Sequence, residues 1–311
     1  MVPVPRKSSV PGSVPVALQA LLSGLIDYAG MFPPAKLSLR DAARNFVRYM
    51  QGRHAWMLGK FVLPAAQLDE FGACLAGNSE APSSSVPLSV LLGAEPLRDA
   101  RRIRATQDRR SVGVPSLFSI DTVEVRPGSP AMVAELASIL PGGLPIFCEV
   151  PWMENLAEWL AAIQRAGWLA KIRTGGVTPA AFPSSVAVAA FLTQCKDHGV
   201  AFKATAGLHH PVRSEHPFTY EAGSICGVMH GFLNVFLGAA LLECGISKEQ
   251  LIAVLDDSSA TNFHFSGNFA HWDKLFLSEN DIASSRGHFA ISFGSCSFEE
   301  PIQDLEKLAL L

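Results

Sequence analysis

Two lysines, each followed four residues later by a glycine, constrain this chain more than any other feature. They lie in Ala170-Lys171-Ile172-Arg173-Thr174-Gly175 and Phe202-Lys203-Ala204-Thr205-Ala206-Gly207. Each stretch is short, largely apolar and closed by a glycine turn, the pattern of a buried strand. The segment between them reads as a helix, and parallel neighbouring strands require such a crossover. Side chains alternate along a strand, so Lys171 shares a face with Arg173, and Lys203 with Thr205. The two lysines are expected side by side in a barrel interior.

The rest of the chain repeats this unit. Residues 16–24 read as a short amphipathic helix able to plug one barrel end, after a flexible tail at 1–15 with no signal-peptide core. Apolar runs then mark strands at 25–28, 60–63, 87–92, 120–125 and 145–150, before the lysine pair. Ser38 is placed as the N-cap of a helix running to about Gln51. Gly77 to Ser85 reads as a loop, and Pro301 sits in the first turn of a final helix. Phe289 to Phe293 is preferred as the eighth strand over the weak alternation at Phe263-His264-Phe265, which makes 256–287 an insertion. Strands alternating with helices over this length predict an α/β fold, a single parallel (β/α)8 TIM barrel over 16–311 with an insertion before the last strand. Chemistry on such barrels lies at the carboxyl ends of the strands, where Asp27, Asp121, Glu149, Lys171, Lys203, His209 and Ser295 are all expected.

Charge and cysteine content narrow the partners. A net charge of -3 gives no field favouring nucleic acid or an anionic membrane, and no apolar run has membrane-spanning length. The arginines at 101, 102, 104, 109 and 110 read as a solvated helix face. Six cysteines without a CxxC pair argue against a zinc knot or disulfide framework and for a reducing, cytoplasmic setting. The apolar helix at 231–244 is either core or a subunit contact in a homo-oligomer. A small-molecule carbonyl compound remains as the expected partner.

That expectation comes from the lysines. A single lysine on a strand commonly reaches the rim and pairs with a carboxylate. Two buried ammonium groups repel, and desolvation and a neighbouring cation both lower a lysine pKa. A neutral lysine attacks carbonyl carbon, so the pair suits imine formation, which calls for no cofactor. The proton shuttle is expected to be Asp121. Glu124 lies on the other strand face by alternation, and the register leaves open which of the two carboxylates points inward. Glu149 is read as a site member or as the ion-pair partner of Arg173.

In their order along the chain, these segments resemble the deoxyribose-phosphate aldolase family of class I aldolases. The segments are Leu25-Ile26-Asp27-Tyr28, Ile120-Asp121-Thr122-Val123, Glu149, Lys171 with Thr174-Gly175, Lys203-Ala204 with Gly207-Leu208, and Gly294-Ser295-Cys296-Ser297. The resemblance implies that Lys171 forms the imine and Lys203 depresses its pKa, while Asp121 relays protons with help from Asp27. It also implies that Gly207, Gly294 and Ser295 lie where that family binds substrate phosphate through backbone N–H groups. Three departures stand out: Arg173 for a small residue, Ala206 for a glycine, and His209-His210-Pro211 for the usual loop. Arg173 on the lysine face is suited to a carboxylate, and the insertion is placed as a candidate cap over the site.

Two rivals share the fold. A metal-dependent hydrolase or isomerase would use His209, Glu149 and Asp27. A non-catalytic barrel would bind a ligand without turnover. Cys296 has no fixed histidine partner in the sequence and is read as a small apolar residue.

Overall fold

The computed structural model describes residues 14–77, 84–111, 116–152 and 155–311. The expected tail, apart from Val14 and Pro15, lies outside the described residues, as do residues 78–83 of the expected loop and the side chains of Arg109 and Arg110. In chain order the first elements are α1 (Val16–Leu22), β1 (Ile26–Tyr28), α2 (Leu39–Met50), β2 (Leu58–Pro64), α3 (Leu68–Ala76), β3 (Val86–Leu91) and α4 (Pro96–Ser111). Next come β4 (Phe118–Val125), α5 (Ala131–Ile139), β5 (Ile146–Val150), α6 (Leu156–Arg165), β6 (Leu169–Arg173), α7 (Ser185–Asp197) and β7 (Phe202–Thr205). The remainder are β8 (Ser214–Pro217), β9 (Cys226–Met229), α8 (Phe232–Glu243), α9 (Lys248–Asp256), β10 (Phe263–Ser266), β11 (Phe269–Trp272), β12 (Leu275–Ser278), α10 (Glu279–His288), β13 (Ala290–Ser295) and α11 (Glu299–Lys307).

Eight parallel strands close into a barrel in the order β1-β13-β7-β6-β5-β4-β3-β2. The chain therefore forms a parallel (β/α)8 TIM barrel. Barrel strands have one face on the barrel interior and one under the helices, which is why they read as continuous apolar runs. Helix starts follow local chemistry. The Ser38 hydroxyl accepts the Asp41 backbone N–H at 3.1 Å, and Ser184 and Ser247 cap α7 and α9 in the same way. Every residue of α8 from Phe232 to Leu242 is buried within the chain, so this helix is core.

β13 closes the barrel, as expected, whereas the segment at 263–278 forms a separate three-stranded antiparallel sheet. That sheet does not cap the site. The Ala17 N–H donates to the Gly267 carbonyl at 3.0 Å, which ties the sheet to α1, and α1 leads directly into the start of β1. The insertion therefore belongs to the amino-terminal end of the barrel, opposite the expected chemistry. The carboxyl end carries instead an unexpected antiparallel hairpin, β8–β9. The Phe218 ring beyond β8 stacks on Phe182 with centroids 4.6 Å apart.

Among the described residues no helix is long and apolar enough to cross a membrane, and the six cysteines are unpaired. The arginine helix has a solvated face, with Arg101 and Arg104 exposed and Arg102 3.3 Å from Asp99.

Candidate active site

Parallel register sets the lysines opposite one another: Lys171 pairs with Lys203 across β6 and β7, and Glu149 on β5 pairs with Lys171. Both lysines are buried, with relative exposures of 4% and 1%. Each ammonium meets two carboxylates. Lys171 Nζ lies 2.8 Å from Glu124 Oε2 and 2.8 Å from Glu149 Oε2. Lys203 Nζ lies 2.6 Å from Asp27 Oδ2 and 2.7 Å from Glu124 Oε1. The expected pair of crowded, uncompensated amines is thus replaced by a buried network in which Glu124 bridges the two lysines.

Hydrogen bonds from neighbouring strands hold the carboxylates. Thr122 Oγ1 donates to Ser89 Oγ at 2.8 Å, and Ser89 Oγ donates to Glu124 Oε1 at 2.7 Å. Ser292 Oγ donates to Asp27 Oδ2 at 2.8 Å, and the Lys60 backbone N–H donates to Asp27 Oδ1 at 2.8 Å. Taking such charges out of water costs several kcal/mol per ion unless partners satisfy them, and here several do. Burial raises the pKa of each carboxyl, yet the neighbouring cations outweigh it. Lys203 and Lys60 hold Asp27 below the ordinary range, Lys171 and Lys203 do so for Glu124, and Lys171 with Arg173 for Glu149. For Lys203, burial acts downward, but Asp27 and Glu124 push its pKa above the usual lysine range. Lys203 is thus enclosed by two carboxylates that favour its charged form.

A cavity of about 530 Å³ opens at the carboxyl ends of the strands. Lys171, Glu124, Glu149, Arg173, Thr205, Gly207, His209 and Gly294 line it, together with Arg126 and Cys296. Lys203 and Asp27 are outside this lining, so Lys171 is the lysine that faces the cavity. Arg126 and Arg173 each place Nε 3.4 Å from Glu149 Oε1, with side chains 76% and 40% exposed. One carboxylate oxygen thus anchors two guanidinium groups at the cavity wall.

Several expected site residues are placed differently. Asp121 does not line the cavity. Leu88 pairs with Ile120 and Ser89 with Thr122, so Asp121 is the extra residue of a bulge in β4, and Glu124 takes the inward place. Ser295 is buried between the two cavity-lining residues Gly294 and Cys296, and its hydroxyl accepts the Ser297 N–H at 3.3 Å. His209, Glu149 and Asp27 do not converge: His209 Nδ1 lies 2.9 Å from Glu300 Oε2, while the other two belong to the lysine network. Among the described residues no cluster of three or more His, Cys, Asp or Glu side chains is arranged to hold a metal ion.

His209 and His210 both turn toward α11, His210 Nδ1 lying 2.6 Å from Asp304 Oδ2. Burial pulls the His209 pKa down, but hydrogen bonds to Cys296 and Glu300 outweigh it and push it up to about 10. The turn after β7 holds Ala206 at φ 61°, a left-handed conformation natural to glycine. At the next residue, Gly207 (φ 73°), a Cβ would come within 2.7 Å of the Gly175 Cα, so the two glycine turns touch backbone to backbone.

Sequence reasoning missed Glu124 as the shared partner, and Arg126, Ser89, Thr122 and Ser292 altogether. Alternation from Thr122 would have found Glu124; the bulge hides the count from Asp121. No protein-family model matches the chain, and no curated protein matches it.

Proposed function

We propose that the protein is an imine-forming lyase of the aldolase type, acting on a small aldehyde, ketone or keto acid that carries a carboxylate or phosphate. One observation carries the reading. Of two register-paired lysines, Lys203 is neutralised beneath the cavity, while Lys171 lines the cavity between two carboxylates. The resemblance to deoxyribose-phosphate aldolases gives Lys171 the same role.

The chemistry follows from the hydrogen bonds. Glu149 Oε2, 2.8 Å from Lys171 Nζ, accepts the ammonium proton. The freed amine adds to the carbonyl carbon, and the carbonyl electrons move to oxygen. Glu149 returns the proton to the carbinolamine, and water leaves as the iminium forms. Glu124, kept anionic by Lys203, faces the iminium charge. The Cα–Cβ bond then breaks, its electrons passing into the iminium to give an enamine, while Glu149 takes the proton of the β-hydroxyl, whose carbon leaves as the carbonyl of one product. Glu149 returns that proton to Cα of the enamine, and hydrolysis of the imine releases the other product and Lys171. Arg126 and Arg173 orient the anionic end of the substrate through donors not used on Glu149.

A second reading draws on the same ion pairs. A lysine held by two carboxylates also serves a non-catalytic barrel that binds an anionic carbonyl compound reversibly. Borohydride reduction in the presence of pyruvate or acetaldehyde separates the two. The lyase reading expects a covalent adduct on Lys171, absent from the Lys171→Met variant. Reversible binding with no adduct from either compound favours the binding barrel.

A further inference from the structure

Cys296 follows β13 and lines the main cavity. It is 6% exposed, and two polar side chains reach within 4.0 Å of its sulfur. His209 Nε2 lies 4.0 Å from Cys296 Sγ, and His209 Nδ1 lies 2.9 Å from Glu300 Oε2. Tyr220, on the turn between β8 and β9, donates its hydroxyl to the same Glu300 oxygen at 3.1 Å and lies 3.7 Å from the sulfur. Thiol, imidazole and carboxylate thus stand in series, Cys296 and Glu300 from the β13–α11 junction and His209 from the loop after β7. The imidazole is buried and fixed at both nitrogens. This is the order in which an acid orients a histidine and the histidine moves the proton of a nucleophile. A cysteine that merely fills space needs none of these partners.

We propose that Cys296 is a second nucleophilic centre of this cavity, served by His209 and oriented through Glu300, and that it takes up aldehydes reversibly as hemithioacetals. The sulfur, its proton already held on His209 Nε2, forms a bond to the aldehyde carbon. The carbon–oxygen π electrons move to oxygen, which receives that proton back from His209. Thiol and aldehyde are fully accounted for in the adduct, with no oxidant, reductant or leaving group. Glu300 is a positioning residue: it touches the imidazole and not the reacting atoms. The inference is independent of imine formation on Lys171, since it uses neither lysine.

The test uses iodoacetamide on the full chain at neutral pH, with peptide mass mapping of each cysteine. Cys226 and Cys244 are exposed and serve as internal references, while buried Cys148 and Cys195 report on intact folding. Despite its burial, Cys296 is expected to alkylate about tenfold faster than either exposed cysteine. His209→Asn is expected to bring it to their rate or below, with Glu300→Gln in between and the reference cysteines unchanged. Acetaldehyde is expected to protect Cys296 in the Lys171→Met variant, where no imine forms on that lysine. The proposal is overturned if Cys296 labels more slowly than Cys226 and Cys244 in the unaltered chain. It is also overturned if acetaldehyde gives no protection, or if folded His209→Asn protein labels as fast as before. Should His209→Asn expose Cys148 and Cys195, Glu300→Gln carries the comparison, and an unchanged Cys296 rate there counts against the proposal.

Discussion

Lys171 and Lys203 face each other in register on β6 and β7, and Glu124 accepts from both, at 2.8 Å through Oε2 and 2.7 Å through Oε1. One carboxylate therefore decides whether two buried ammonium groups coexist. Asp27 and Glu149 complete the balance on either side. This arrangement gives the lysines different work. Lys203 is enclosed within the network, and Lys171 is left at the boundary between the network and the cavity.

Glu124→Gln removes the shared charge while keeping the shape. Breaking a buried ion pair from one side costs about 3–5 kcal/mol. A loss of that size is expected in urea unfolding. A change below about 0.5 kcal/mol, the scale of an ordinary surface substitution, would show that the network carries no stability.

Acid is expected to destabilise the protein through the same residues. Asp27, Glu124 and Glu149 have folded pKa values below their unfolded ones. Their contribution is full above 4.5, the highest of the unfolded values, and is lost as pH falls through the depressed folded values. His209 behaves oppositely: raised to about 10 from 6.5, it contributes fully below 6.5 and loses that contribution as pH rises through about 10. Urea midpoints measured across pH should fall at both ends, and Glu124→Gln should flatten the acid side. An acid limb unchanged by that substitution would assign the loss to other carboxylates.

The left-handed turn after β7 separates two neighbouring positions. Ala206→Gly is expected to stabilise the protein by about 1 kcal/mol, because the alanine at φ 61° is strained where glycine is not. Gly207→Ala is expected to destabilise, since its Cβ would lie 2.7 Å from Gly175 Cα. Thermal unfolding of both variants checks the pair, and equal shifts of the same sign would contradict the turn geometry.

Arg173→Ser tests the anion at the cavity mouth. The preference for trapping pyruvate over acetaldehyde is expected to fall about tenfold, the worth of one charge-assisted contact. If only stability changes, Arg173 serves Glu149 and not the substrate.

The barrel was legible because its strands are apolar runs ended by Gly or Pro, and the two lysines interrupt such runs at matching places. The partner of the lysines was not legible from Asp121, because one extra residue in β4 resets the alternation that would place Glu124 inward. The β8–β9 hairpin escaped because Ser214–Pro217 and Cys226–Met229 lie half in solvent and lack a strand's apolar signature. Cys296 and His209 are 87 residues apart in sequence, and closure of the barrel between β7 and β13 brings them together. The insertion reads as an insertion from sequence alone, but its contact with α1 decides which end of the barrel it covers.

Reductive trapping followed by peptide mapping addresses the division of labour between the lysines most directly. With pyruvate or acetaldehyde and borohydride, a single adduct is predicted on Lys171, with Lys203 unmodified. Adducts shared between both lysines, or found on neither, would contradict it.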